Sequence, residues 1–233
     1  MGIPTQKRLI RKLELELFLS QMESHPSPKA DLEQYTVSEA VAAKMLYMAA
    51  YANGDIIGKK VLDLGCGTGR LALAASYLGA KHVVGVDIDK TAIKTASKNA
   101  AKAGPEVNVQ WVLGDIAIVT GSFDTVLQNP PFGIQKRAAD RKFLQKALEV
   151  GNVIYSLHNH PCMDKNLAKS LRLNSDSLLQ VEPSTFIERF VKRHHAVVKA
   201  VYATHMTIPH MFDFHTKLKH DLIVDLYLIK KLE

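Results

Sequence analysis

From Lys60 onward the chain alternates between two apolar periods. The runs "KVLDL", "HVVGVD", "VNVQWVL", "FDTVLQ" and "NVIYSL" are rich in Val, Leu and Ile, and Gly, Pro, Asp or Asn bound them. Each is short and apolar, which predicts a buried strand. Between them lie "RLALAASYLGA", which Gly79 can end, "KTAIKTASKNAAKAG", closed by Gly104 and Pro105, and "AADRKFLQKALEVG". Their three- and four-residue apolar spacing predicts helices. Strands alternating with helices need crossovers, and crossovers make a parallel sheet with helices on both faces. Further on, "ERFVKRHHAVVKAVYATHMTI" predicts strand and turn material, and "HDLIVDLYLIKK" a final strand. Ahead of Lys60, residues 6 to about 23 predict a helix with Leu9, Ile10, Leu13, Leu17 and Phe18 on its apolar face. "SHPSPKAD" breaks it. A second amphipathic helix follows within "LEQYTVSEAVAAKMLYMAAY", with Ser38 as N-cap. No repeat, low-complexity tract or linker divides the chain. We therefore expect one domain over residues 1–233, with residues 1–58 as a helical extension.

A chain of 233 residues, 47% hydrophobic and 23% charged, has the composition of a globular domain. No apolar run reaches the roughly 18 residues of a membrane span. The charged start has no signal-peptide core, and Gln6 stands where a myristoylation signal needs Ser or Thr. Cys66 and Cys162, far apart, make neither a disulfide framework nor a zinc ligand set, so a reducing cytosol is the expected home. The net charge of +7 suggests a polyanionic partner.

Gly65-Cys66-Gly67-Thr68-Gly69 follows a predicted strand and opens a predicted helix. Glycines there let the backbone turn sharply and approach a ligand. The third glycine comes one residue early for the dinucleotide fingerprint, and no Gly-Lys-Ser/Thr follows for a phosphate loop. Asp63, at the strand end, would repel a diphosphate but suits the ammonium group of an amino-acid moiety. Asp87 ends the second strand, where a carboxylate can accept two hydrogen bonds from a ribose diol. Asp89 is expected to cap the next helix. Asp115, with the Ile116 amide, ends the third strand, where it can meet an adenine edge. Each aspartate alone could be a cap or turn residue; together they mark the strand ends where ligands bind open α/β sheets.

The fourth strand stops at Asn129-Pro130-Pro131-Phe132. Two prolines end a strand because neither donates to the ladder. An exocyclic amine is a poor nucleophile, since its lone pair is conjugated. The Asn129 side-chain oxygen and the Pro130 carbonyl can each accept one N–H and favour a tetrahedral nitrogen. Pro131 stiffens the loop, and Phe132 offers a face for an extruded base. The bland alternative is a structural turn with Phe132 in the core.

"VLDLGCGTG…GVDID…LGD" resembles the S-adenosylmethionine site of class I methyltransferases. The resemblance implies a Rossmann-like, mostly parallel seven-stranded sheet with an antiparallel last strand, for which "HDLIVDLYLI" is well placed. It also implies that Asp63, the Gly65–Gly69 loop, Asp87, Ile88, Asp115 and Ile116 contact the cofactor. "NPPF" resembles the Asn/Asp-Pro-Pro-aromatic motif of amino-group methyltransferases, whose substrates include adenine in DNA and RNA, guanine in RNA, and glutamine in release factors. "LEQYTVSEAVAAKMLYMA", "QNPPFG", "VIYSLH" and "FDFHTKLKHDLIVDLYLIKK" resemble the methyltransferase-like 5 family from Leu32 to the end. That resemblance implies methylation of N6 of one adenine in small-subunit ribosomal RNA, in eukaryotes with a small zinc-containing activator subunit. It further implies that Gln34 and Tyr35 cover the cofactor. Val37 replaces the family's threonine, so the contacting hydroxyl is either Thr36 or Ser38. Arg70 stands where a small apolar residue is common, and we expect it to point to solvent.

Lys136, Arg137, Arg141 and Lys142 follow Phe132 closely and are the expected RNA-phosphate contacts. Lys192, Arg193, His194 and His195, and Lys217, Lys219, Lys230 and Lys231, form two further basic groups that a merely solvated surface would also explain. His158 and His160 could line the crevice, but a histidine near a strand end more often packs or hydrogen-bonds. No metal is expected in this chain. The competing expectations are a protein glutamine-N5 methyltransferase, a guanine-N2 RNA methyltransferase, and a non-catalytic RNA-binding module. The intact Asp63, Asp87, Asp115 and Asn129 set argues against the last.

Overall fold

The computed structural model describes residues 9–132, 139–161, 165–174, 177–209 and 219–232. Helices α1 (Lys12–Ser20) and α2 (Glu39–Tyr47, continued by a π turn over Met48–Ala52) precede the sheet. Then come β1 (Lys60–Leu64), α3 (Arg70–Tyr77), β2 (His82–Asp87), α4 (Lys90–Ala103), β3 (Gln110–Leu113) and β4 (Phe123–Gln128). Next are α5 (Ala139–Val150), β5 (Gly151–Asn159), α6 (Lys165–Leu173) and the short β6 (Leu179–Gln180). The chain closes with α7 (Thr185–Arg193), β7 (Ala196–Pro209) and β8 (Lys219–Lys231).

The strands lie in the order β3-β2-β1-β4-β5-β8-β7-β6. β1 to β5 run parallel to one another, and β8 runs antiparallel between β5 and β7. This is the Rossmann-like α/β sheet that the strand–helix alternation predicts. One difference from the expected seven strands is β6, a two-residue strand added on the outer edge of β7. From β1 the chain builds outward through β2 and β3, then returns to place β4 on the other side. The carboxyl ends of β1 and β4 therefore face the crevice at a topological switch point.

Each face of the sheet carries its own apolar layer. Helices α1, α2 and α3 cover one, and α5 and α7 the other. α2 is buried at every position from Val41 to Leu46. Its one cation there, Lys44, donates from Nζ to Thr204 Oγ1 at 3.0 Å on β7. Ser38 caps α2, its Oγ accepting from Val41 N, which leaves Thr36 as the hydroxyl that faces the crevice.

Two sequence expectations fail here. Of the five residues expected on the apolar face of the first helix, Ile10 is buried and Phe18 packs on the core, but Leu9, Leu13 and Leu17 are 61%, 65% and 57% exposed, and on α1 Leu15 and Leu19 face the core instead. Leucines at every second position of "KLELELFL" populate both sides of a helix, so spacing alone did not select the face. Residues 188–193 belong to α7, not to a strand, because Ile187, Phe190, Val191 and His194 share one helical face. The strand of that segment begins only at Ala196. No helix among the described residues is long and apolar enough to cross a membrane. Lys136, Arg137, Cys162 and Lys217 lie outside the described residues.

Candidate active site

The carboxyl ends of β1, β2 and β4 open onto a cleft of about 890 Å³. Asp63, Gly65, Cys66, Gly67, Thr68, Asp87, Ile88, Asp115 and Ile116 line it from the sheet side. Gln34, Tyr35 and Thr36 line it from the segment that precedes α2. Of the residues expected at the amine and RNA, Pro130, Phe132 and Arg141 do not line the cleft. For the cofactor residues, sequence reasoning and geometry converge on one place, with one exception.

That exception is Gly69. Each glycine of the loop answers a different demand. At Gly67 (φ +53) a Cβ would meet nothing within 4 Å, so its bare backbone is presented to open space. At Gly65 a Cβ would sit 2.6 Å from Phe143 Cε1, a ring of α5 that also lines the cleft. At Gly69 it would sit 2.5 Å from the Trp111 ring. Gly69 begins α3 away from the cleft and serves packing, not ligand approach.

The acidic strand ends are held by backbone amides. Asp87 accepts from Gly67 N at 2.7 Å and Asp89 N at 2.8 Å, which locks the loop to β2. Asp63 accepts from Ala72 N at 2.9 Å in α3. Burial raises both carboxyls. Asp63 reaches about 7, with the Ala72 hydrogen bond opposing the rise and the neighbouring Asp87 charge adding to it. The same burial, with the charges of Asp63 and Asp87, pushes the Cys66 thiol up. Asp115 is exposed; one oxygen caps Ala117 N at 2.8 Å while the residue lines the cleft.

A strap from His25 to Val37 roofs the cleft, and its attachments were not legible in the sequence. Asp89 caps α4 through Thr91 N, as expected. It also accepts from Gln34 Nε2 at 2.9 Å and pairs with Lys29 Nζ at 3.2 Å. Burial opposes its charge, but the hydrogen bonds from Gln34, Thr91 and Lys29, with the Lys29 charge, hold its carboxyl down at about 2. Arg70 corrects a second expectation. It is buried, not solvated, donating from Nη1 to Val37 O at 2.6 Å and pairing with Glu39 at 3.0 Å. A guanidinium is worth burying there because the strap's carbonyl and Glu39 need a donor. Glu33, buried in the cleft wall, holds a left-handed backbone (φ 49).

Asn129 stands at the mouth between β4 and this strap. Its Nδ2 donates to Tyr35 O at 3.0 Å. Its Oδ1 is withdrawn from solvent and accepts no hydrogen bond from any described residue. An unmatched buried acceptor costs on the order of 1–3 kcal/mol, so a donor arriving there gains strongly. Pro131 lines the cleft, Pro130 is buried, and Phe132 is half-buried against the apolar layer of α1 to α3. Behind this loop Gln128 Nε2 donates to Ser156 Oγ at 2.8 Å, which in turn meets His158 Nε2 at 2.8 Å. Burial lowers His158 to about 4, so this ring is neutral, and His160 pairs with Asp225. Neither histidine lines the cleft. Lys142 does line it; Arg141, one residue earlier, is exposed.

A glycine loop between two buried strand-end carboxylates, at the switch point of a sheet with one antiparallel inner strand, defines a class I S-adenosylmethionine-dependent methyltransferase. The methyltransferase small domain family matches residues 41–153. The chain is 37% identical to the uncharacterized protein MJ0284 of Methanocaldococcus jannaschii, over 96% of each chain. It is 40% identical to the rRNA N(6)-adenosine-methyltransferase Mettl5 of Drosophila melanogaster, over 62% of this chain and 71% of that one. A candidate RNA methyltransferase, PH1948 of Pyrococcus horikoshii, has a crystal structure that superposes with a TM-score of 0.79 at 35% identity. That superposition covers 97% of this chain and 100% of that one. The chain belongs to the methyltransferase-like 5 family, and its cofactor is S-adenosylmethionine. The cleft fits that group: two buried carboxylates suit a cationic ligand, and the open face of Gly67 leaves room for close approach.

Proposed function

We propose that this protein methylates the exocyclic N6 amine of an adenine in small-subunit ribosomal RNA. The observation that carries the chemistry is Asn129, whose amide nitrogen is tied to Tyr35 O while its oxygen has no donor among the described residues. The likeness to Drosophila Mettl5, named as an rRNA N6-adenosine methyltransferase, supports the substrate.

When bound, S-adenosylmethionine would supply an electrophilic methyl carbon and leave as the neutral thioether, and the methylated nitrogen would then shed one proton to solvent. The chain's own residues do the rest. Asn129 Oδ1 and the Pro130 carbonyl each accept one N–H of the amine, draw the nitrogen out of conjugation and aim its lone pair into the cleft. Pro131 holds these two acceptors in a stiff turn. Phe132 completes the catalytic set by supporting the extruded base through the part of its ring left exposed. Asp87 takes the ribose diol of the cofactor, Asp63 its ammonium group, and Asp115 with the Ile116 amide its adenine edge. Gln34, Tyr35 and Thr36 close over it. Lys136, Arg137 and Lys142 contact RNA phosphate, and Arg141 belongs to the same RNA-facing surface. A small zinc-containing activator subunit is the partner that the family resemblance implies, and the cytoplasm is the compartment.

Transfer of labelled methyl from S-adenosylmethionine to purified small-subunit RNA, followed by digestion to nucleosides, tests this reading. The expected product is N6-methyladenosine. Label in N2-methylguanosine, or in a protein glutamine, would replace it with one of the competing substrates.

Asp63 adds a pH dependence. Its folded carboxyl, at about 7, lies above the ordinary 3.8. The ligand-free fold therefore keeps its Asp63 contribution below about pH 4 and loses it as pH rises through 7. A cation bound at Asp63 favours the ionised form, so the sign for binding is opposite. Affinity for S-adenosylmethionine should rise as pH climbs toward 7 and fall again above about pH 8, where the ligand's α-ammonium loses its proton. Calorimetry from about pH 5.5 to about pH 8.5 measures this. A flat profile that persists in Asp63→Asn would remove Asp63 from the ammonium site.

A further inference from the structure

The first turn of α5 meets the side of α7 beside the cleft mouth. The Arg141 guanidinium lies 4.4 Å from the centroid of the Phe186 ring. Along α7, Phe186, Phe190 and His194 recur every four residues, so their rings follow one another on one side of the helix. Phe186 and Phe190 are 6.0 Å apart, and Phe190 and His194 are 4.5 Å apart at an interplanar angle of 30°. His194 Nδ1 lies 2.8 Å from Phe190 O, which holds the last ring in place. Ile187 and Val191 fill the buried face of α7, whereas Phe186 remains 37% exposed.

Arg141 is the outer rung of this stack. It is exposed and forms no ion pair with any described residue. Its neighbour Lys142 lines the cleft that holds Asn129. A guanidinium already held over an aromatic ring loses little further entropy when it is used, and its planar group offers a surface on which a base can stack. Exposed Arg189, Lys192 and Arg193 stand on the same helix, opposed by the single acid Glu188. Planar cation–aromatic stacking beside free positive charge is the chemistry of single-stranded RNA.

Resting on the RNA reading above, we infer that Arg141 and Phe186 form a stacking platform for an unpaired base adjacent to the target adenine. Arg189, Lys192 and Arg193 take the phosphates that follow. The alternative is that the Arg141 stem merely covers an apolar ring. Arg141→Lys separates the two, since lysine keeps stem and charge but has no plane.

The experiment titrates the full chain into a fluorescein-labelled single-stranded RNA of about 12 nucleotides, followed by anisotropy across a KCl series. Arg141→Lys and Phe186→Ala should each weaken binding about tenfold. The salt slope of Arg141→Lys should match wild type because the charge is retained, whereas Arg189→Gln should reduce it by about one. Affinity for S-adenosylmethionine should not move in Arg141→Lys. Wild-type RNA affinity in Arg141→Lys would overturn the platform, as would a wild-type chain that does not bind this RNA. Should Phe186→Ala melt early, Arg141→Lys alone decides. If the wild type binds, both variants bind more weakly, and yet no adenine is methylated, the platform stands and the adenine assignment falls.

Discussion

Asn129→Ala should lower kcat for methyl transfer by about 10²–10³-fold, the range seen when one preorganised transition-state partner is removed. The loss follows from what the amide does with each end. Nδ2 donates to Tyr35 O, which orients the side chain, and Oδ1 is buried with no donor among the described residues. On the proposed mechanism alanine removes the acceptor assigned to the amine, an interaction made more strongly as the reaction proceeds than in the ground state. Affinity for S-adenosylmethionine should change by less than about threefold, since only one contact to the roof is lost. Asn129→Asp separates the two ends. It keeps the acceptor but sets a carboxylate oxygen against the Tyr35 carbonyl, so its loss should appear in cofactor affinity as well as in kcat. Single-turnover rates with calorimetric Kd values distinguish these outcomes. A collapse of cofactor binding in Asn129→Ala, equal to the loss of rate, would mean that the residue supports the roof and not the amine.

Asp87→Ala should act in the reverse order, raising the Kd for S-adenosylmethionine about a hundredfold or more before it touches the chemical step. Hydrogen bonds to an ionised group contribute about 1.5–3 kcal/mol each, and a ribose diol offers two. The carboxylate also fastens Gly67 N and Asp89 N, so its removal loosens the loop that the cofactor lies against. Burial already raises this carboxyl, so the charge itself adds no stability to the ligand-free fold. The melting temperature without cofactor should fall modestly, while the upward shift that cofactor normally produces should nearly vanish. Thermal melts with and without S-adenosylmethionine measure both. A full cofactor-induced shift in Asp87→Ala would take the ribose role away from this residue.

Much of the cleft was legible because ligand chemistry leaves local marks. Alternating glycines after a strand, aspartates at successive strand ends and an asparagine before two prolines each impose a constraint within a few residues. Those constraints point to the carboxyl edge of a sheet without any three-dimensional information. The individual reasons were less legible. Gly69 reads like part of the ligand loop, yet its missing Cβ makes way for Trp111, distant in sequence. Gly65 makes way for Phe143 of α5. Arg70 reads as a solvent-facing departure from the family pattern, yet it clamps the strap through Val37 O and Glu39. On α1, alternate leucines satisfy two helical faces equally, and only contact with α2 and α3 selected Leu15 and Leu19.

By itself, the sequence determined the alternation of strands and helices from β1 to β5, the final strand, and the edge of the sheet where the cleft opens. These depend on hydrophobic period, proline and glycine geometry, and the donor capacity of side chains, all of which act over short chain distances. Only the tertiary structure decided that Asp89 would latch Gln34 and Lys29, that Tyr35 would hold the Asn129 amide, and that Arg141 would lie over Phe186. Those pairings join segments far apart in the chain, and no local preference carries information about which distant group will arrive to satisfy a buried donor, acceptor or ring.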